Sequence, residues 1–247
     1  MTPLQTAAPI AKIRAAEADR PEAERLFTDP YAKLFADAAA DVTALFSQIP
    51  FFEEHVRLRT RYIDDAVRAA LARGTRAIVL VGAGFDTRGL RMTEVGDAGA
   101  RVIEVDHDEQ LSEKRRRLAA VGVSLPPHVV HAPADLATEG ALARALAGAG
   151  AAPTDPTLFV CEGLFGYLPL DALVALSRAT AGSGGAGSRL LANHTQHTWS
   201  TDALVKAFEG SGWTAEPAVS FVSLHERYLG KDQPAGGEAF AFFEARK

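Results

Sequence analysis

The chain has 247 residues, 47% of them apolar and 23% charged, with 21 glycines and a formal net charge of −5. That balance excludes a disordered, collagen-like or coiled-coil chain, and at this length a single domain removes roughly 70–75% of the surface its unfolded chain exposes. The single cysteine, Cys161, rules out a disulfide framework and a cysteine-rich zinc site, and points to a reducing compartment, the cytoplasm.

The net negative charge leaves nucleic acid and an anionic membrane surface as unexpected partners. Residues 1–20 hold no unbroken apolar stretch of the signal-peptide kind. No later run approaches the roughly 18 apolar residues of a membrane helix.

Residues 1–73 are predicted helical, with a break at Asp29-Pro30, because proline disfavours helical geometry in its predecessor. They read as a helical cap over the strand ends, part of the same domain as a core spanning 74–247. In the last of these helices Ile63, Val67, Ala70 and Leu71 form an apolar stripe, and Arg59 stands four residues before Ile63 on the same face. A buried arginine requires an anion: an acidic ligand group, or an Asp or Glu at the helix end. Arg61 projects elsewhere. Asp64-Asp65 reads as a helix-surface acidic pair, with metal coordination as the alternative.

From Gly74 onward, apolar strands alternate with helices. The predicted strands are 77–81, 101–105, 128–131, 157–161 and 188–192, and the predicted helices are 87–93, 108–120, 139–147 and 171–180. Unbroken apolar runs such as IVLV and LFV belong to strands buried on both faces, hence to a parallel sheet covered by helices. A helix at 201–209 follows, then strands at 213–222 and 240–245 with a helical piece at 223–229 between them. The expected fold is a doubly wound α/β domain with a mostly parallel, seven-stranded sheet and an N-terminal helical cap.

The stretch IVLVGAGFDTR (78–88) runs a buried strand into Gly82-Ala83-Gly84, the turn at which a nucleotide-like ligand meets the backbone of such a sheet. Asp106, ending the next strand 24 residues after Gly82, stands where a ribose-binding acid is expected. A dinucleotide fingerprint requires glycine at 87, where this chain has Thr87, and Asp86 would compete with a diphosphate for the helix N-terminal amides. The cationic, phosphate-free cofactor S-adenosyl-L-methionine suits that loop better than NAD. Asp135-Leu136 follows the third strand, where a carboxylate can accept from an adenine amino group and a leucine can pack on the ring. Glu162 follows the fourth, so three acids stand on one rim.

The blocks RTRYIDD (59–65), VLVGAGFDTR (79–88), EVDHDEQLSEK (104–114), the Asp135-Leu136 pair and CEGLFGYLP (161–169) resemble, in order and spacing, the leucine carboxyl methyltransferase-like family of S-adenosyl-L-methionine-dependent O-methyltransferases. The resemblance spans about residues 12–200, with 18–22 and 29–32 similar to its ESRRPD-like and DPYA-like segments. It implies a Rossmann-like sheet of the class I methyltransferase type. It implies, too, that Arg59 holds the cofactor carboxylate, that Gly82, Ala83 and Gly84 lie against the methionine portion, and that Asp106 binds ribose. Asp135 and Leu136 would flank adenine, Glu162 would face the methionine amine, and Arg14 would be a second carboxylate-binding cation. The segment after the fifth strand is short, so methylation of a protein phosphatase is not carried over. Carboxylates or hydroxyls of small molecules, including bacterial secondary metabolites, are the expected acceptors.

A carboxylate acceptor needs no base. A hydroxyl acceptor does, and His194, just past the fifth strand, is the candidate, unless 193–197 is only a polar loop. Tyr167 either lines the acceptor pocket or packs at the core edge. Lys114, Arg115, Arg116 and Arg117 read as a solvated face, and Cys161 as a small buried hydrophobe. His55, His107, His128, His131 and His225 show no metal-binding spacing, and no metal is expected. Two other readings stay open: an NAD(P)-dependent oxidoreductase, and a non-catalytic protein that binds S-adenosylmethionine.

Overall fold

The structure, a computed structural model, describes residues 3–36, 51–230 and 237–247. The 37–50 stretch of the predicted helical cap lies outside the described residues. The chain opens with α1 (Pro3–Ala16), two 3-10 turns (Glu17–Asp19 and Glu22–Glu24) and the single turn α2 (Lys33–Ala36). Residues 25–29 are irregular, as the Asp29-Pro30 pair predicts. The long α3 (Phe52–Ala72) leads into β1 (Ala77–Val81). Its Ile63, Val67 and Ala70 are buried against the sheet, together with Arg59. Glu17, fully buried, accepts from Arg57 Nε at 2.5 Å and so ties the N-terminal segment to α3.

Two single turns follow β1, α4 (Arg88–Arg91) and α5 (Glu94–Asp97), where one helix over 87–93 is expected. The difference arises at Met92, whose ψ of 75° leaves helical geometry and lets both Met92 and Val95 reach the core. Then come β2 (Arg101–Asp106), α6 (Asp108–Ala120), β3 (Val129–Pro133), α7 (Ala141–Gly148), β4 (Thr157–Cys161), α8 (Leu170–Ser183), β5 (Arg189–Thr195) and α9 (Thr201–Glu209). The tail adds β6 (Thr214–Ala215), β7 (Val219–Ser220), α10 (Phe221–Leu229) and β8 (Phe240–Arg246).

The sheet runs β3-β2-β1-β4-β5-β8-β6, with β7 also on β8. β1 to β5 are parallel, and β8 enters antiparallel beside β5. All five residues of β1 and all five of β4 are buried, which is what unbroken apolar strands require when helices cover both faces. The chain goes outward from β1 to β3, then returns to place β4 on the other side of β1. That reversal opens a crevice at the carboxyl ends of β1 and β4.

The described sheet has eight strands, one more than expected, because the strand predicted over 213–222 is two two-residue pieces. Pro217, between them, has no N–H to donate to the ladder. Phe221 and Val222 begin α10 instead, where Ser220 Oγ caps the helix by accepting from Ser223 N–H at 3.2 Å. The fifth strand outruns its predicted end by three residues, since β8 pairs along it as far as Thr195↔Phe240.

Two polar predictions on helices are corrected by burial. Lys114 is no part of a solvated face: it is fully buried, bonded to Glu104 Oε2 at 2.6 Å and to the Asp86 carbonyl. Asp64 is no surface acid: it is fully buried and holds Arg91 through two 2.7 Å hydrogen bonds. Arg115 and Arg116 do stay exposed, and Asp65 is half-buried beside Arg61.

Candidate active site

The crevice is a cavity of about 650 Å³, and every sequence-predicted site residue lines it: Arg59, Gly82, Ala83, Gly84, Asp106, Asp135, Leu136, Glu162, Tyr167 and His194, along with Arg14. Sheet order sets their sequence in space. Asp135 follows β3, Asp106 ends β2, the glycine turn follows β1, Glu162 follows β4, and Asn193 and His194 lie near the end of β5.

The turn after β1 is built for close approach. Gly82 and Gly84 sit at φ +70° and +50°, a region that disfavours side chains, and a Cβ on Gly82 would come within 3.1 Å of Leu164 Cδ1. The N–H groups of Gly82 and Ala83 both donate to the Val105 carbonyl, and Gly84 N–H donates to Asp106 Oδ2 at 2.7 Å. Asp106 Oδ1 accepts from His107 N–H, also at 2.7 Å. Burial raises the Asp106 pKa above the usual carboxylate value in spite of these two bonds. Asp135 is exposed and serves locally as a turn cap, accepting from Ala137 N–H at 3.0 Å, a bond that lowers its pKa.

Arg59 is buried beside a carboxylate, as its place on the apolar stripe requires, but that carboxylate follows β4 and does not stand at the helix end. Its Nε donates to Glu162 Oε1 at 2.9 Å, while its terminal nitrogens make no hydrogen bond among the described residues and the side chain lines the cavity. Glu162 is shared with Arg88, whose guanidinium donates to Oε2 at 2.7 Å. Burial pushes the Glu162 carboxyl up, but Arg88 and Arg59 outweigh it and hold the group far below the usual carboxylate range. Arg14 donates to the Phe85 carbonyl and stands 3.1 Å from Asp29.

Arg88, part of the VLVGAGFDTR block but given no role by the sequence reading, is the hub of this wall. At 2% exposure it reaches Asp64 Oδ1 at 2.8 Å, Glu162, the Asp86 carboxylate and the Thr60 carbonyl. The Asp86 side chain also accepts from Arg88 N–H at 2.7 Å. Asp86 therefore occupies the amide a diphosphate would seek.

His194 lies inside β5 and not in a polar loop. Its Nδ1 stands 3.0 Å from the Trp199 carbonyl, which can only accept, so Nδ1 carries the proton and Nε2 is left as a free base. Nε2 is buried without a partner among the described residues, and burial lowers the pKa of the ring. Asn193 beside it accepts from Gly163 N–H at 2.7 Å and fixes the turn that carries Glu162. Tyr167 is 66% exposed at the cavity mouth and is no part of the core edge. Cys161 is fully buried, and burial pushes its thiol up, so it is an inert hydrophobe as expected.

The carboxylate network predicts acid sensitivity. Asp64, Glu104 and Glu162 are all held below their ordinary pKa values, burial being outweighed by Arg88 and Arg91 for Asp64, by Lys114 for Glu104, and by Arg88 and Arg59 for Glu162. A depressed carboxylate contributes stability that is whole above its unfolded pKa, near 4, and is lost as pH falls through the folded value. Asp106, raised, contributes with the opposite sign. The midpoint of urea unfolding is expected to decline gently between about pH 6.5 and 5, where the unfolded chain takes up the protons that buried His55 and His194 resist, and to fall steeply below about 4; a midpoint insensitive to acid would contradict the network.

A doubly wound sheet with a glycine turn at its switch point and acids at three successive strand ends defines a Rossmann-like domain for a nucleoside-containing cofactor. The sequence profile of leucine carboxyl methyltransferase matches residues 7–181. The chain belongs to that family, and with it to the S-adenosyl-L-methionine-dependent methyltransferases. Two proteins of Frankia alni assigned by name to those enzymes are similar to it: one is 34% identical over 88% of this chain and 76% of its own length, the other 36% identical over 81% and 71%. A Thermobifida fusca protein solved as a methyltransferase by assignment shares the fold, with a TM-score of 0.59 and 16% identity over 99% of this chain and 97% of its own. No helix among the described residues is long and apolar enough to cross a membrane.

Proposed function

We propose that the protein transfers the methyl group of S-adenosyl-L-methionine to an oxygen, a carboxylate or hydroxyl, of a small molecule, of the kind made in secondary metabolism. What carries the reading is that one cavity is lined by the strand-end rim at one end and by His194 at the other, whose buried Nε2 has no partner among the described residues. The residues fit the cofactor. Asp106 would accept from the ribose diol, Leu136 would cover adenine beside Asp135, and Gly82, Ala83 and Gly84 would admit the methionine chain. Arg59, with its terminal nitrogens unspent, would take the carboxylate, and Glu162 would take the ammonium. The cofactor supplies an electrophilic methyl group on a sulfonium. The protein's own task is then to align an acceptor oxygen in a dry pocket. Residues 1–73 belong to the same domain in this reading, since Ile10 and Arg14 from α1 and Arg59 from α3 line the same cavity as the strand ends.

Isothermal titration calorimetry with S-adenosylhomocysteine, and with NAD in parallel, tests the cofactor. Binding of the first and none of the second is expected; the reverse overturns the reading in favour of an oxidoreductase. Asp106→Ala is expected to weaken S-adenosylhomocysteine by about 1.5–3 kcal/mol, the range for hydrogen bonds to a charged group. An unchanged dissociation constant would remove Asp106 from the site.

A further inference from the structure

The end of the cavity beyond Glu162 differs in chemistry from the rim. Phe52 and His55 line it from the first turn of α3, and Phe240 from the start of β8, which the antiparallel pairing sets opposite Thr195. The His55 ring is 3% exposed, with centroid distances of 4.4 Å to Phe240 and 5.8 Å to Phe52. Outside the cavity wall, Phe221 stacks on it at 4.3 Å. Burial and the Arg59 charge hold the His55 pKa well below that of a free imidazole, so the ring is neutral at pH 7. His194 is neutral there as well. The charged groups that act on His55 are Arg59 and Glu162, which are bonded to each other, and Arg14, the other cation lining the cavity, is engaged by the Phe85 carbonyl and Asp29. Arg59, the cation that acts on His55, gives its Nε to Glu162 and is taken by the cofactor carboxylate in the function proposed above. An aromatic wall of this kind favours a flat π-surface, while a carboxylate buried without a cation is penalised.

We infer that the acceptor is a planar aromatic compound methylated on a neutral hydroxyl, its ring seated against Phe52, His55 and Phe240, and that a carboxylate on the same ring is rejected. The inference rests on the proposed function and narrows it. The acceptor oxygen forms a bond to the methyl carbon, the methyl–sulfur bond breaks with its electron pair passing to sulfur, and the hydroxyl proton passes to Nε2 of His194. The sulfonium charge thereby ends on the imidazolium.

The test is calorimetric titration at pH 7 of the full chain saturated with S-adenosylhomocysteine, using 2-naphthol, 2-naphthoic acid and decahydro-2-naphthol. The naphthol is expected to bind at least tenfold more tightly than either of the others. Naphthoate binding equally well overturns the rejection of a carboxylate, and the saturated alcohol binding equally well overturns the aromatic seat. No binding of any of the three, with S-adenosylhomocysteine still bound, overturns the inference while leaving the cofactor reading intact; failure of S-adenosylhomocysteine itself to bind overturns the cofactor reading instead. In His55→Leu the preference for naphthol over its saturated analogue is expected to shrink at unchanged affinity for S-adenosylhomocysteine. A preference that survives there, in a folded variant, would take His55 out of the seat.

Discussion

Replacing Arg88 by leucine is expected to cost the fold about 3–5 kcal/mol, the range for removing one partner of a buried ion pair. The guanidinium is all but inaccessible and bonds to Asp64, Asp86 and Glu162 together. Two of these carboxylates keep other cations, Arg91 at Asp64 and Arg59 at Glu162. Asp86 loses its only cationic partner among the described residues and keeps just the backbone N–H of residue 88, and the Thr60 carbonyl loses its side-chain donor. Against a whole-domain stability of about 5–15 kcal/mol this is a large fraction. The melting temperature is expected to fall by roughly 6–20 °C. Arg88→Lys, which restores charge without the fork, is expected to lie between the two. A leucine variant as stable as the wild type would mean that the three acids are compensated without Arg88.

The same residues show what a one-dimensional reading captures. β1 and β4 declare themselves through unbroken apolar runs, because a strand covered on both faces has no polar positions to spend. Arg59 was legible because helical spacing puts it on the stripe of Ile63 and Val67. Applied evenly, that spacing also reveals Lys114, three residues after Leu111 and four before Leu118, and Asp64, four after Thr60 and three before Val67. Charge overrode position in those two cases, whereas the fold buries each with a partner: Glu104 for Lys114, Arg88 and Arg91 for Asp64. What the sequence could not carry is long-range pairing. Arg88 meets Glu162 across 74 residues, and no local pattern marks that. The last turns of β5 form a strand only because β8, some 45 residues later, lies against them. That late pairing decides the chemistry of the far end of the cavity, since it sets His194 in a strand opposite Ala241 and Phe240 opposite Thr195. The strand-end acids were visible because they follow their strands directly, while the aromatic wall was not, because Phe52, His55 and Phe240 come from opposite ends of the chain.

His194→Ala is expected to lower kcat for a hydroxyl acceptor by about 10²–10⁴-fold, the usual worth of a positioned general base, at unchanged affinity for S-adenosylhomocysteine. The Trp199 carbonyl holds the Nδ1 proton, so the neutral ring can take a proton only at Nε2, the atom left without a partner among the described residues. Burial lowers the pKa of the ring, so the base form prevails at neutral pH and protonation begins only below the ordinary imidazole value of 6.5. The sign follows: the rate is flat through pH 7 and drops as pH falls through the lowered pKa, and that acidic limb vanishes in the alanine variant. A carboxylate acceptor, already ionised, has no proton to give and would be methylated at nearly the same rate by both proteins. Comparing kcat against pH for wild type and His194→Ala on one hydroxyl acceptor therefore separates the two chemistries. A tenfold or smaller loss with the limb retained would assign His194 to packing around Trp199 and leave the proton to solvent.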